Sequence, residues 1–168
     1  MDSIEFALYP SSIGTILLVA RKGMLARLDV RREAEHELRK AVQLEYPDGN
    51  QSDKPFRRVA FLLDKYLKGE MVDFPIEVDL SGMTPFIRKV LIKVKEIPYG
   101  KTRSYKGVGE ELGLMNAARA VGQAVKRNPI PIVIPCHRVI REDGSLGGFS
   151  LKCVSKEYLL NLEGGLRK

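Results

Sequence analysis

Between Ser104 and Arg127 the 168-residue chain carries two short helix-forming runs on either side of one glycine, a spacing that few folds accommodate. Ser104 has the side chain to cap the first run, which reads as helix as far as Leu112, and Gly113 stands where a helix of that length ends. Asn116 is placed to cap a second run from Ala117 to about Arg127. Two short helices around a tight glycine-containing turn form a helix-turn-helix-like unit, whose second helix commonly lies against DNA. On a wheel of 100° per residue, Ala118, Val121 and Val125 gather on one side as a core face. Arg119, Gln123 and Lys126 form a neighbouring stripe, with Ala117 and Gly122 small beside them. A helix built only for packing would carry larger apolar residues there. Small residues around Arg and Lys let a backbone approach a phosphate chain.

The pattern around this unit sets the fold class. Upstream, Thr84 as cap and Pro85 as first-turn residue open a helix through Ile97, with Phe86, Ile87, Val90, Leu91 and Val94 as its apolar stripe. Pro98-Tyr99-Gly100 stops it. Further upstream the periodicity changes. Residues 4–9, 16–19 and 24–30 are apolar and strand-prone, and Arg21-Lys22-Gly23 joins the last two as a hairpin turn. Residues 33–44 and 56–67 read as helices, the second with Val59, Leu62, Leu63 and Tyr66 on one face. Pro47-Asp48-Gly49-Asn50 reads as a plain turn, and residues 75–80 alternate like a short strand. The expectation is an α+β protein. A small amino-terminal α/β domain with an antiparallel sheet occupies residues 1–80, and a mostly helical helix-turn-helix domain occupies residues 81–168.

Charge divides at the same place. Residues 1–80 carry 12 Lys and Arg against 14 Asp and Glu, whereas residues 81–168 carry 16 against 7. All of the net charge of +7 therefore belongs to the second half, which fits either a polyanionic partner or a well-solvated basic surface. Apolar runs such as TILLVA and IPIVIP are too short to cross a bilayer. No basic, apolar leader opens the chain, which predicts no export and reduced thiols for its two cysteines. The expected compartment is the cytoplasm, associated with the nucleoid, or the nucleus in a eukaryote.

One of those cysteines lies in Ile134-Pro135-Cys136-His137-Arg138-Val139, beside one of only two histidines. Pro135 suits the first turn of a helix, so Cys136 is expected at a helix N-terminus, where the dipole with His137 and Arg138 nearby would favour the thiolate. A zinc site would need spaced ligands, which adjacent Cys and His with distant His36 and Cys153 do not supply. A cysteine hydrolase would recruit a distant histidine, and His36 lies on a charged helix. A buried structural cysteine leaves His137 and Arg138 unexplained.

IPCHRVI resembles the active-site signature of the O6-alkylguanine-DNA alkyltransferases, the methylated-DNA–protein-cysteine methyltransferases. IPYGKTRSY, NAARAVGQAVKRNPIPIVIPCHRVI, the following GGFS and the final KEYLLNLEG resemble family blocks in the same order and spacing. The resemblance covers residues 84–166 and reaches the amino-terminal part only in general layout. It implies that Cys136 accepts an alkyl group from guanine O6, with His137 drawing the thiol proton through a water and Glu163 orienting the imidazole. Tyr105 would give a proton to guanine N3, and Arg119 would fill the gap left by the extruded nucleotide. Ala118, Gly122, Gln123, Lys126, Arg127 and Ser104 would lie against DNA. Asn128 would brace the helix-turn-helix against the cysteine loop, with Arg138 and Val139 behind it. Residues 147–150, with Gly148, Phe149 and Ser150, would wall the base pocket. The partner implied is double-stranded DNA containing O6-alkylguanine, bound by a monomer without cofactor. With no cysteine before Cys136, the amino-terminal metal site of some relatives is not expected.

Two features depart from the family pattern. Leu151 and Lys152 follow Ser150 where glycines are usual, which predicts a stiffer, bulkier pocket rim, and Phe149 replaces a tyrosine. The alternative class is the non-catalytic alkyltransferase-like proteins, which bind such lesions and replace the acceptor cysteine, usually with tryptophan. This chain has Cys136 and no tryptophan.

Overall fold

In a computed structural model that describes residues 3–164, the chain divides after Asp79 into two compact units. The first is built on a sheet of order β3-β2-β1-β4. Strands β1 (Ile4–Ser11), β2 (Gly14–Arg21) and β3 (Met24–Arg31) pair antiparallel. The β2–β3 connection is a two-residue hairpin, and Lys22 (φ 52°) and Gly23 (φ 77°) both take the left-handed backbone such a turn requires. Helix α1 (Glu35–Glu45) lays Leu38 and Val42 on Phe6, Leu17 and Val19. The alternate residues Ile16, Leu18, Leu28 and Val30 are buried too, so neither sheet face is left to solvent. A 3-10 turn over Lys54–Phe56 leads into α2 (Arg57–Leu67), which buries Val59, Leu63 and Tyr66, while Leu62 is only half-buried.

Two local expectations change here. Asn50, read as the end of a turn, instead opens β4 (Asn50–Gln51), which pairs in parallel with Glu5 and Phe6 of β1. Residues 75–80, read as a strand, make one bridge, Val78 to Leu25, flanked by Leu25 N–H to Glu77 O and Asp79 N–H to Leu25 O. Pro75 lacks a donor, and the alternation of a single extended segment does not require a ladder.

The second unit is mostly helical. Thr84 caps α3 (Pro85–Lys95) by accepting from Ile87 N–H at 3.4 Å. Ile87, Val90, Leu91 and Val94 are buried, but Phe86 is 37% exposed and lies off the stripe. Strand β5 (Arg103–Ser104) pairs in parallel with β6 (Val139–Ile140), Arg103 opposite Val139. Ser104 then caps α4 (Tyr105–Glu111), accepting from Gly107 N–H at 2.9 Å, and Gly113 follows at φ 74°. Helix α5 (Ala118–Lys126) begins later than expected, and Asn116 does not cap it. Asn116 instead sits at φ 53°, a left-handed position asparagine tolerates, and Ala117 precedes the helix with no side-chain cap bond. Val121, Ala124 and Val125 form its buried face, Ala124 taking the place expected for Ala118, which is half-buried. A last helix, α6 (Lys156–Leu162), is capped by Ser155, which accepts from Tyr158 N–H at 3.0 Å.

Candidate active site

The chain between α5 and β6 is a buried, knotted-down loop. Asn128, 5% exposed, donates through Nδ2 to Ile134 O at 2.8 Å and accepts from Ile130 N–H at 3.0 Å. Its own backbone N–H reaches Val125 O in α5, so this one residue ties the end of that helix to the segment before Cys136. Within this loop Ile132 holds φ 72°, a left-handed conformation that a β-branched residue adopts only when its surroundings impose it. Pro135 then opens a 3-10 turn over Cys136–Arg138, a single turn rather than an α-helix.

That turn sends Cys136 toward Ser150 and both His137 and Arg138 toward Glu163. Cys136 Sγ lies 3.5 Å from Ser150 Oγ. His137 is fully buried, with Nε2 2.6 Å from Glu163 Oε1. Arg138 grips the same carboxylate with Nε to Oε2 at 2.9 Å and Nη2 to Oε1 at 3.0 Å, donates to Ile97 O at 2.6 Å, and lies over the Tyr99 ring. Gly100 N–H completes the set, donating to Glu163 Oε2 at 3.1 Å. Helix α6 ends at Leu162 and so delivers Glu163 to the back of the turn.

The electrostatics follow from burial. Burial alone would push the Glu163 carboxyl up, but hydrogen bonds from His137 and Arg138 and the charge of both outweigh it and bring the group down to about 2. Burial likewise holds the His137 imidazole below its usual range, against the pull of Glu163. The expected thiolate does not result. Burial raises the Cys136 thiol above its usual value, and the Ser150 and Asn128 hydrogen bonds and the Lys156 charge offset that only in part. The reason is geometric: one 3-10 turn has little dipole, and Arg138 points to Glu163 rather than to sulfur. The resting thiol is thus protonated, and the imidazole is held toward its neutral form with Nε2 against Glu163.

Tyr105, the first residue of α4, is brought beside this turn by the β5–β6 pairing. Burial first, then Cys136, raises its hydroxyl above the usual range. Residues 147–150 pass against it. Gly147 sits at φ 74°, and a Cβ there would stand 2.7 Å from Tyr105 Oη, so glycine is required twice over. Phe149 and Ser150 are half-buried and Gly148 is exposed, with the Lys126 side chain of α5 close over it. Leu151 is buried at 7%, so it anchors the loop and is not part of an exposed rim as expected. Lys152 alone faces solvent there.

Arg119, Gln123, Lys126 and Arg127 are exposed on α5 or at its end, with Ala118 and Gly122 half-buried among them. Val139 is buried, and its carbonyl accepts from Lys156 Nζ. Lys156 was not singled out in the sequence, where it reads as one polar residue of KEYLL. Its only prior signal is its place directly after the Ser155 cap, where a first-turn lysine faces the wrong end of the dipole. Among the described residues no three His, Cys, Asp or Glu side chains gather as metal ligands, and no helix is long and apolar enough to cross a membrane.

Both units match known families. Residues 4–80 match the 6-O-methylguanine DNA methyltransferase, ribonuclease-like domain, and residues 85–165 match the 6-O-methylguanine DNA methyltransferase, DNA binding domain. A methylated-DNA–protein-cysteine methyltransferase of Methanosarcina acetivorans is 37% identical over 160 residues, covering 95% of this chain and 97% of that one. That of Methanosarcina barkeri is 41% identical over 154 residues, covering 91% and 92%. Among solved structures, the O6-methylguanine methyltransferase of Mycobacterium tuberculosis superposes with a TM-score of 0.78 at 34% identity, covering 96% of this chain and 93% of that one. Mycobacterium tuberculosis OGT in complex with DNA gives 0.79 at 33% identity, covering 95% and 92%.

Proposed function

Because the chain belongs to the methylated-DNA–protein-cysteine methyltransferase family, we propose that it repairs duplex DNA by extruding an O6-alkylguanine and moving the alkyl group, once, onto Cys136. The observation that carries this reading is a buried, protonated Cys136 thiol in the same single turn as an imidazole clamped from behind by Glu163. His137 Nδ1 takes the thiol proton through a water. Sulfur attacks the alkyl carbon in line, and the sulfur–carbon bond forms as the carbon–O6 bond breaks. Tyr105 gives its proton to N3 so that a neutral guanine leaves. Burial of its hydroxyl, which keeps the proton in place at neutral pH, supports that role. Ser150 Oγ, close to sulfur, faces O6. A thioether is not a leaving group in water, so the protein acts in a single turnover.

Extrusion costs a few kcal/mol. Arg119, exposed on α5 with small Ala118 and Gly122 beside it, offsets that by entering the vacated stack, while Gln123, Lys126, Arg127 and Ser104 hold the strand. Asn128, bonded to both α5 and the cysteine loop, keeps DNA docking and chemistry in register. The amino-terminal unit serves as scaffold, and the protein acts as a monomer in the compartment that holds the DNA. The test is transfer from a duplex labelled in the methyl of O6-methylguanine. Label should move to the wild-type protein and leave guanine behind. Cys136→Ala should bind the duplex and take no label, and label on that variant would overturn the assignment.

A further inference from the structure

The turn between β6 and the pocket loop carries an arginine to which the transfer steps give no role. Arg141 directly follows Val139–Ile140, and the pairing of Ser104 with Ile140 sets it next to Tyr105, the first residue of α4. The turn itself is fixed. Gly144 N–H donates to Arg141 O at 3.0 Å, Arg141 N–H donates to Ser145 O at 2.8 Å, and Gly144 takes φ 85°. From Ser145 the chain runs through Leu146 into Gly147 and Gly148 of the pocket wall, so Arg141 stands at the pocket mouth with its side chain exposed.

The charge around it is unbalanced. Both acidic neighbours are engaged elsewhere: Glu142 accepts from Lys106 of α4 at 3.3 Å, and Asp143 accepts from Ser145 N–H at 2.9 Å and Ser145 Oγ at 2.6 Å. Asp143 feels the Arg141 charge without bonding to it. Among the described residues the Arg141 guanidinium has neither an ion pair nor a hydrogen bond, whereas Arg103 pairs with Glu111 at 3.1 Å and Arg138 with Glu163 at 2.9 Å. What Arg141 does face is another cation. Burial first, then Arg141, holds the Lys156 ammonium down at about 8, against the pull of Cys136. Two cations facing one opening, neither paired with a carboxylate, leave that opening attractive to an anion. The planar fork of a guanidinium suits phosphate in particular.

We propose that Arg141 binds a backbone phosphate beside the extruded nucleotide and so holds the DNA strand at the pocket mouth. The inference rests on the alkyl-transfer reading above and adds a strand contact from outside α5. An extruded base remains joined to its strand through the phosphates on either side, so these must come to the pocket mouth whatever the surrounding sequence.

The experiment is single-turnover methyl transfer, at limiting protein, from duplexes in which each phosphate around O6-methylguanine is replaced in turn by an uncharged methylphosphonate. For the wild type, one replacement next to the lesion should slow transfer by about tenfold. Arg141→Gln should be slower by about the same factor on unmodified DNA. That variant should then lose nothing further from the one replacement, while its sensitivity to the others stays as in the wild type. Arg141→Lys keeps the charge without the fork and should fall between the two. Because Arg141 is exposed, Arg141→Gln should unfold in urea where the wild type does, so that its slower transfer is not a loss of fold. Transfer by Arg141→Gln at the wild-type rate, or losses that multiply at every phosphate, would reduce Arg141 to diffuse surface charge and overturn the inference. Failure of the wild type to methylate Cys136 from the unmodified duplex is a separate result, which overturns the parent reading instead.

Discussion

Glu163 accepts from His137, Arg138 and Gly100 together, so its loss reaches beyond its own charge. Glu163→Gln leaves the Arg138 guanidinium buried without its counter-charge. It should cost about 3–5 kcal/mol of stability, read by urea unfolding. The wild type should also lose stability in acid. The folded carboxyl titrates at about 2, against 4.5 when unperturbed, so between these values the unfolded chain binds more protons than the folded one. Stability is then full above about pH 4.5 and declines toward pH 2, and Glu163→Gln should lose that slope. At the opposite edge of the site, Arg119→Ala should sharply slow repair of duplex DNA yet leave reaction with free O6-benzylguanine nearly unchanged. A finger matters only when there is a stack to replace, and equal losses on both substrates would exclude it. Residue identities near Cys136 were legible because proline, cysteine, histidine and arginine in a row have few purposes. The thiol's ionisation was not, because it depends on how deeply the turn is buried. Lys156 was hidden for the same reason: a lysine in a helical run reads as exposed until a loop is seen to close over it.

The elements divide by length. Helices α3 and α4 were visible from their caps, since Thr84 and Ser104 each accept the N–H three residues on. The hairpin at Lys22 and Gly23 was visible from turn chemistry. Strands β4, β5 and β6 were not, each being only two residues long and defined by its partner rather than by any pattern of its own. That matters for the site, because the β5–β6 pairing sets Tyr105 beside the cysteine turn. The pocket loop carries the sharpest element-scale prediction. Gly147→Ala must hold a strained φ of 74° and bring a Cβ to 2.7 Å from Tyr105 Oη. It should lose about 1–3 kcal/mol of stability and most of its transfer rate. Placing the same change in Tyr105→Phe removes the hydroxyl oxygen from the clash. The destabilisation caused by Gly147→Ala should therefore shrink in that background, and an undiminished cost would point to backbone strain and the ring carbons, which stand 3.0 and 3.2 Å from the added Cβ, rather than to the hydroxyl.

At the scale of the whole molecule, the excess positive charge lies in the half that also holds α5 and the cysteine turn, while the first half is slightly acidic. Binding should therefore weaken steeply with salt and vary little with sequence, since phosphates offer no sequence information. Lys126→Glu should lower affinity for every duplex alike and reduce the slope of log affinity against log salt by about 1. A strong preference for one flanking sequence would contradict this. The change from strand-like to helical periodicity and the change in charge fall together near residue 80, where the chain divides into its two compact units. Transfer in a single turnover comes down to stoichiometry at one sulfur. Titrating the protein with O6-methylguanine duplex and mapping the product by intact and peptide mass spectrometry tests it directly. Methyl uptake should saturate at one per protein, all of it on Cys136 and none on Cys153. Turnover beyond one equivalent, or methyl on any other residue, would contradict it.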